Sequence, residues 1–310
     1  MANHGGYMTA TIGYRGRFIT GQWSRFMQFK KLVNGKKLIE FTNHPSPAVR
    51  CYAFKALSES GSRQTFAVLI KHLKDNDTIR TVQGCVQQDM LVSEFFLENT
   101  SYPYKKKEQY NFRKKERDTI DSLLFFAPNK SKKLTAMLLR VIQPKEQYYT
   151  KIKQTYLKDK DLGALLAMAR YRKKEDRKFI LEQLNLEDND FYADILLRII
   201  KSYPDAIFLP YLKKVLKQNT LESGRSQELF LLYVALVQYQ NLESKKLIIN
   251  TLKNVPKDEL EDHQGYLWLA FTQYPYPIYK DIKKSIKLDN WTKRDLINEL
   301  EYMYLIPEVK

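Results

Sequence analysis

Cys85 has the surroundings most suggestive of covalent chemistry: it follows Gly84 and sits among Gln83, Gln87 and Gln88. A thiol becomes a nucleophile when a base or a positive field lowers its pKa. The four histidines, at 4, 44, 72 and 263, are all distant from it in sequence, His72 being the nearest. The expectation is therefore a buried structural thiol, the commoner fate of such a residue. The acidic pairs Asp188/Asp190 and Asp258/Glu259 have the composition for general acid–base work. They fall at apparent helix starts, where the helix dipole favours carboxylates without any catalysis. The chain contains no GxxxxGK[ST] phosphate loop, GxGxxG turn, HExxH pair or GxSxG elbow. Its His and Cys residues lack metal-ligand spacing. No metal or other cofactor is expected, and the chain reads as a non-enzyme.

Cations offer a second chemistry. Of 310 residues, 52 are Lys or Arg and 35 are Asp or Glu, a formal charge of +17. Met1–Lys178 holds 35 basic and 16 acidic residues, a net of +19, whereas Phe179–Lys310 holds 17 and 19, a net of −2. The basic excess thus belongs to one part of the chain, which points to a polyanionic partner there. The densest run comprises Lys105, Lys106, Lys107, Arg113, Lys114, Lys115 and Arg117, interleaved with Tyr104, Tyr110 and Phe112. Lys130, Lys132 and Lys133 follow, and then Arg170, Arg172, Lys173 and Lys174. Such residues are candidates for binding a protein partner or a polyanion. Contacts to phosphates would give salt-dependent, sequence-independent affinity, and the aromatics would stack on exposed bases. Glu108, Glu116, Asp118 and Glu175 dilute the field, and no nucleic-acid-binding signature accompanies the run.

The elements that carry these residues are helical. Hydrophobic residues make up 44% of the chain, which excludes wholesale disorder. Only eleven Gly and eleven Pro punctuate 310 residues, too few for the many turns of a barrel or sandwich. One pattern recurs: an Ala/Leu-rich helix end, a polar turn, then an amphipathic helix with an apolar triplet. It starts at Ala56, Ala167, Ile199 and Ala235, with weaker copies at Leu124 and Leu269. The separations 167–199, 199–235 and 235–269 are 32, 36 and 34 residues, and 56–124 is 68. This period fits two helices per repeat, stacked so that each pair buries the apolar stripe of its neighbour. Tyr171, Tyr203 and Tyr239 hold equivalent positions, which predicts a packing residue closing each intra-repeat turn. Trp23, Trp268 and Trp291 read as core anchors.

The first copy, Asn43-His-Pro-Ser-Pro-Ala-Val-Arg-Cys-Tyr-Ala-Phe-Lys-Ala-Leu57, resembles the second half of a HEAT repeat. Pro47 suits a first helical position and Ser46 the helix cap. Val49, Ala53, Ala56 and Leu57 share one face. The resemblance implies an all-α fold: a right-handed α-solenoid of the armadillo type, with about seven or eight HEAT-like helical hairpins. Residues 1–21 read as an N-terminal extension and 22–310 as a single solenoid domain, basic to 178 and near-neutral over 179–310. An irregular insertion near 76–115 interrupts the rhythm, with a short β-like piece at Thr78–Val82 and a helix over roughly Val86–Leu97.

Function follows as an expectation: a non-catalytic helical-repeat scaffold binding a protein partner on its concave surface. Two alternatives stay open. One is a nucleic-acid-binding protein using the basic N-terminal part. The other is a repeat-fold DNA glycosylase-like enzyme, a type that shares repeat architecture and positive charge, although no catalytic motif matches. No stretch has the roughly 18–20 apolar residues of a membrane span, and the start lacks a signal-peptide core. A cytoplasmic location is expected, with the mature form of an exported protein as the alternative.

Overall fold

The computed structural model describes residues 6–12, 18–103, 109–126, 131–186, 193–219 and 226–302. The protein is mostly helical and divides into two compact units, Met1–Val141 and Ile142–Lys310.

The first unit opens with strands β1 (Gly6–Ile12) and β2 (Phe18–Ile19), so the described part of the expected extension belongs to a sheet. Helices α1 (Gly21–Leu32), α2 (Gly35–Phe41), α3 (Pro47–Glu59) and α4 (Gln64–His72) follow. The Thr20 hydroxyl accepts the Trp23 N–H and starts α1, and the Asn34 side chain accepts the Lys37 N–H and starts α2. Pro47 occupies the first turn of α3 as expected, but Ser46 makes no capping bond.

The β-like piece expected at Thr78–Val82 is a strand, but the helix expected over Val86–Leu97 is only partly helical. Thr78–Gly84 is strand β3, Val86–Leu91 is a second strand, β4, and only Val92–Glu98 is helical, as α5. Gly84 has φ +58°, a left-handed turn that costs glycine little, and it folds β4 back antiparallel on β3 with Gln83 opposite Val86. The sheet order is β2-β1-β3-β4, with β1 parallel to β3. Gly6 belongs to that ladder for a steric reason: a Cβ there would lie 2.9 Å from the Arg80 carbonyl oxygen. Periodicity alone does not separate a short apolar run in a helix from one in a strand. The antiparallel pairing of β4 with β3 decides it. Helices α6 (Lys114–Phe126) and α7 (Lys132–Val141) complete the unit.

α3 is its centre, packed against α2, α4, α5, β1 and β3. Phe54 stacks on Phe96 at 3.9 Å, and Tyr7 lies between Tyr52 and Phe95 at 4.9 and 4.7 Å. Each fully buried aromatic of this kind contributes about 2–3 kcal/mol. Arg50 is buried on the same helix and joins two loops. Its guanidinium donates to the carbonyls of His44 and Pro45 and pairs with Asp75 at 3.1 Å and with Asp77. Asp75 also accepts from the His72 ring.

The second unit contains α8 (Glu146–Asp159), α9 (Leu162–Ala169), α10 (Arg177–Leu184), α11 (Ala193–Ser202) and α12 (Leu209–Asn219). It continues with α13 (Ser226–Val237), α14 (Leu242–Asn254), α15 (Leu260–Gln273), α16 (Lys280–Ser285) and α17 (Asn290–Tyr302). Contacts run in a row: α8 on α9, then α9, α11, α13, α15 and α17 each on the next. The helices between them lean on this row, α10 on α11, α12 and α14 on α13. Ala164–Ala169 and Leu229–Val237 are buried at every residue. Trp291, expected in the core, is 72% exposed on α17.

The repeated tyrosines do more than close their own turns. Tyr171 exchanges hydrogen bonds with the backbone of Lys145, donating to its C=O at 2.8 Å and accepting its N–H at 3.0 Å. Tyr239 donates to the Asp205 carbonyl at 2.8 Å, and Tyr203 accepts from Arg177 Nε at 3.1 Å. Tyr171 and Tyr239 therefore reach the preceding turn, and Tyr203 the first residue of α10. Arg172 and Gln240, the residues after Tyr171 and Tyr239, both have positive φ, at 52° and 49°. Deep between α13 and α15, the Tyr233 hydroxyl and His263 Nδ1 are 2.6 Å apart.

Two outcomes follow. Replacing Arg50→Ala leaves the partly buried Asp75 without its arginine and should lower unfolding free energy by about 3 kcal/mol in a urea titration. Burial holds both His72 and His263 below the ordinary histidine value of 6.5, with Asp75 and Asp262 respectively opposing that shift. Below 6.5 the unfolded chain binds more protons than the folded one, so stability falls as pH drops towards the lowered values. The urea midpoint should be lower at pH 5.5 than at pH 7.5, with a smaller difference in His263→Gln.

Candidate binding surface

The candidate residues fall in both units, Arg113–Lys133 in the first and Arg170–Lys174 in the second. Tyr104, Lys105, Lys106, Lys107 and Lys130 lie outside the described residues.

At the start of α6 the chain supplies its own anion. Glu116 accepts the Arg113 N–H at 2.7 Å, the Arg113 guanidinium at 3.0 Å and the Tyr110 hydroxyl at 3.0 Å. Burial raises the Glu116 carboxyl, but these donors outweigh it and hold the group below the usual carboxylate range. A helix N-terminus attracts phosphate because its first N–H groups lack partners. Here a carboxylate already takes that position. Phe112 is buried at 3% exposure, edge-on to Phe66, so it is not available for the base stacking expected of it. Tyr110 is half-buried against it. Arg117 Nε donates to the Phe112 carbonyl, and Lys133 pairs with Glu98 at 2.7 Å. Lys114, Lys115 and Lys132 are exposed, and no described residue pairs with them.

The second group is similarly committed. Arg170 reaches the Ile142 carbonyl and Arg172 Nε donates to the Ser202 carbonyl at 2.9 Å. Lys173 sits 3.7 Å above the Tyr149 ring and 3.6 Å from Glu146. Lys174 is exposed.

Tyr149 belongs to a cluster absent from the sequence-based candidates. Its hydroxyl donates to the fully buried Asp176 carboxylate at 2.8 Å, and Lys153 approaches both at 3.2 Å. Burial, reinforced by Asp176, pushes the Tyr149 phenol up to about 12, so it remains a proton donor in a structural link. Lys153 also lies 5.4 Å from the Tyr149 ring centre and Lys160 5.2 Å from that of Tyr156. Lysine stems of this type cover aromatic faces while the ammonium stays wet. The Tyr-x-x-x-Lys spacing at 149/153 and 156/160 is the sequence signal that identifies them. Part of the cationic excess is thus packing material.

Cys85 is exposed at the β3–β4 turn, contrary to the buried thiol expected there; Cys51 is the buried one, its thiol pushed well up by burial. Among the described residues, no group of three or more His, Cys, Asp or Glu is arranged to hold a metal, and no described helix is long and apolar enough to cross a membrane. No family model, curated protein or solved structure matches the chain.

The geometry separates exposed cations from committed ones, and heparin chromatography measures that difference. Lys114→Glu/Lys115→Glu should elute at lower salt than the native chain with an unchanged melting temperature. Arg117→Ala should elute near the native position but melt lower, by roughly 1 kcal/mol of lost hydrogen bonding.

Proposed function

We propose that the chain is a non-catalytic helical-repeat scaffold, a right-handed HEAT-like α-solenoid whose concave surface takes a protein partner. The observation that carries this reading is the regular tie between successive turns of the second unit. Equivalent tyrosines bond back to the preceding helix pair, Tyr171 and Tyr239 to its turn and Tyr203 to Arg177 at the start of α10, while alternate helices from α9 to α17 pack in sequence. Nearest-neighbour stacking of this kind is the construction principle of solenoids, and their repeated surfaces serve extended partners.

The nucleic-acid reading draws on the exposed Lys114, Lys115 and Lys132. It is weakened by the internal partners of Arg113, Arg117 and Lys133. One experiment separates the two. With the full chain as bait, the scaffold reading expects one protein at equal stoichiometry, resistant to nuclease and to a rise in salt from about 50 to about 200 mM. A contact neutralising several phosphates loses roughly 10³-fold in affinity over that range. Capture abolished by nuclease, or no stoichiometric protein at all, would contradict the scaffold.

A further inference from the structure

β4 is an edge strand of the sheet, and no other described strand pairs with its outer side. Val92 N–H donates to the Asp77 carbonyl at 2.9 Å, immediately beyond the Thr78–Leu91 pair. Bonded and non-bonded pairs alternate along an antiparallel ladder. Met90, Gln88 and Val86 therefore direct their backbone groups to β3, and the Thr81 hydroxyl meets the Gln88 carbonyl on that side at 3.2 Å. Gln87, Asp89 and Leu91 direct theirs away from the sheet. The Leu91 N–H is taken by Glu94 at 3.1 Å. No backbone hydrogen bond from any other described element reaches Gln87 or Asp89, and both are exposed.

Natural sheets blunt an open edge with proline, lysine or a bulge. The segment Val86-Gln-Gln-Asp-Met-Leu91 has no proline or lysine, its pairing with β3 runs without a break, and Val86 stands 60% exposed at its start. Its sequence is also complementary to itself. Laid antiparallel on a second copy with Gln88 on the two-fold axis, Gln87 faces Asp89 of the other chain, twice. Each such pair exchanges both backbone bonds, and the Gln87 amide can donate to the Asp89 carboxylate on the same sheet face. On the opposite face Val86 comes beside Met90 of the second copy. The alternative symmetric registers are poorer. An axis at Asp89 sets two carboxylates directly opposite, which is destabilising even though each is paired with Arg80 of its own chain at 3.0 Å, and an axis at Gln87 places Asp89 against the turn residue Cys85.

We propose that β4 is a self-pairing edge, through which two copies of the chain join their four-stranded sheets about a two-fold axis at Gln88. The occupant is a second copy because the hydrogen-bonding groups, the Gln–Asp pairing and the exposed Val86 are all satisfied by the same segment.

Sedimentation of the full chain tests this. The native protein should sediment at twice 36.8 kDa. Gln87→Pro should sediment as a single chain with an unaltered far-UV circular dichroism spectrum, because an edge proline removes only an outward N–H. In a Cys85→Ser background, Gln88→Cys should cross-link under oxidised glutathione. A non-bonded antiparallel pair sets its Cα atoms about 4.5 Å apart, within disulfide reach. Native Cys85 residues, about 20 Å apart in this register, should not cross-link. A native chain that stays single at all attainable concentrations would overturn the proposal. So would a dimer retained by Gln87→Pro, or one in which Gln88→Cys fails to cross-link. A single chain whose edge instead binds an unrelated extended peptide, and loses it in Gln87→Pro, would assign β4 to peptide recognition and overturn self-pairing.

Discussion

Ala164–Ala169 of α9 and Leu229–Val237 of α13 are buried without a break, so neither helix keeps a face for water. A helix of that composition is stable only when neighbours cover it on every side. Much of the second unit follows from that requirement. α11 separates the two buried helices, α15 flanks α13, and the more polar α12 and α14 also pack on α13 while α10 packs on α11. Their polar faces carry the solvent-exposed charge, including the pairs Lys213–Glu243 and Lys245–Asp281 between neighbouring pairs of helices. Exposed pairs of this kind contribute at most about 1 kcal/mol each. The apolar row, and not the ion pairs, holds the unit together.

Buried polar groups then fix which turn meets which. Tyr239 bonds to Asp205, Tyr171 to Lys145 and Tyr203 to Arg177, and the Tyr279 hydroxyl meets Ser244 at 2.7 Å. Hydrophobic contact has no direction, whereas a buried hydroxyl left unpaired costs about 1–3 kcal/mol. The phenols therefore select one stacking register among many of similar apolar area. In the first unit Arg50 has the same role, tying the turn before α3 to the loop after α4.

Much of the helical pattern was legible in the sequence. The starts at Ala56, Leu124, Ala167, Ile199, Ala235 and Leu269 lie near the ends of α3, α6, α9, α11, α13 and α15, each followed by its companion helix. The equivalence of Tyr171, Tyr203 and Tyr239 was legible too, but their reach to the preceding turn was not, because a one-dimensional repeat contains no spacing between its copies. The sheet was mostly hidden. β4 runs directly into the apolar helix α5 in the sequence, and its strand character depends on pairing with β3, which itself pairs with β1, some seventy residues earlier. The candidate site is hidden in the sequence for a related reason. Counting cations cannot tell Lys114, which faces water, from Arg117, which donates to the Phe112 carbonyl, or Phe112 itself from an exposed ring.

If neighbour-to-neighbour stacking builds the second unit, its parts should open separately. Native-state hydrogen exchange on the full chain, followed in low denaturant, measures this directly. The account predicts the slowest amides in Ala164–Ala169 and Leu229–Val237. It also predicts a sub-global opening of α15–α17 that leaves α9 and α11 protected. A single free energy and a single denaturant dependence for every protected amide from α8 to α17 would contradict it, because that is the behaviour of one indivisible core.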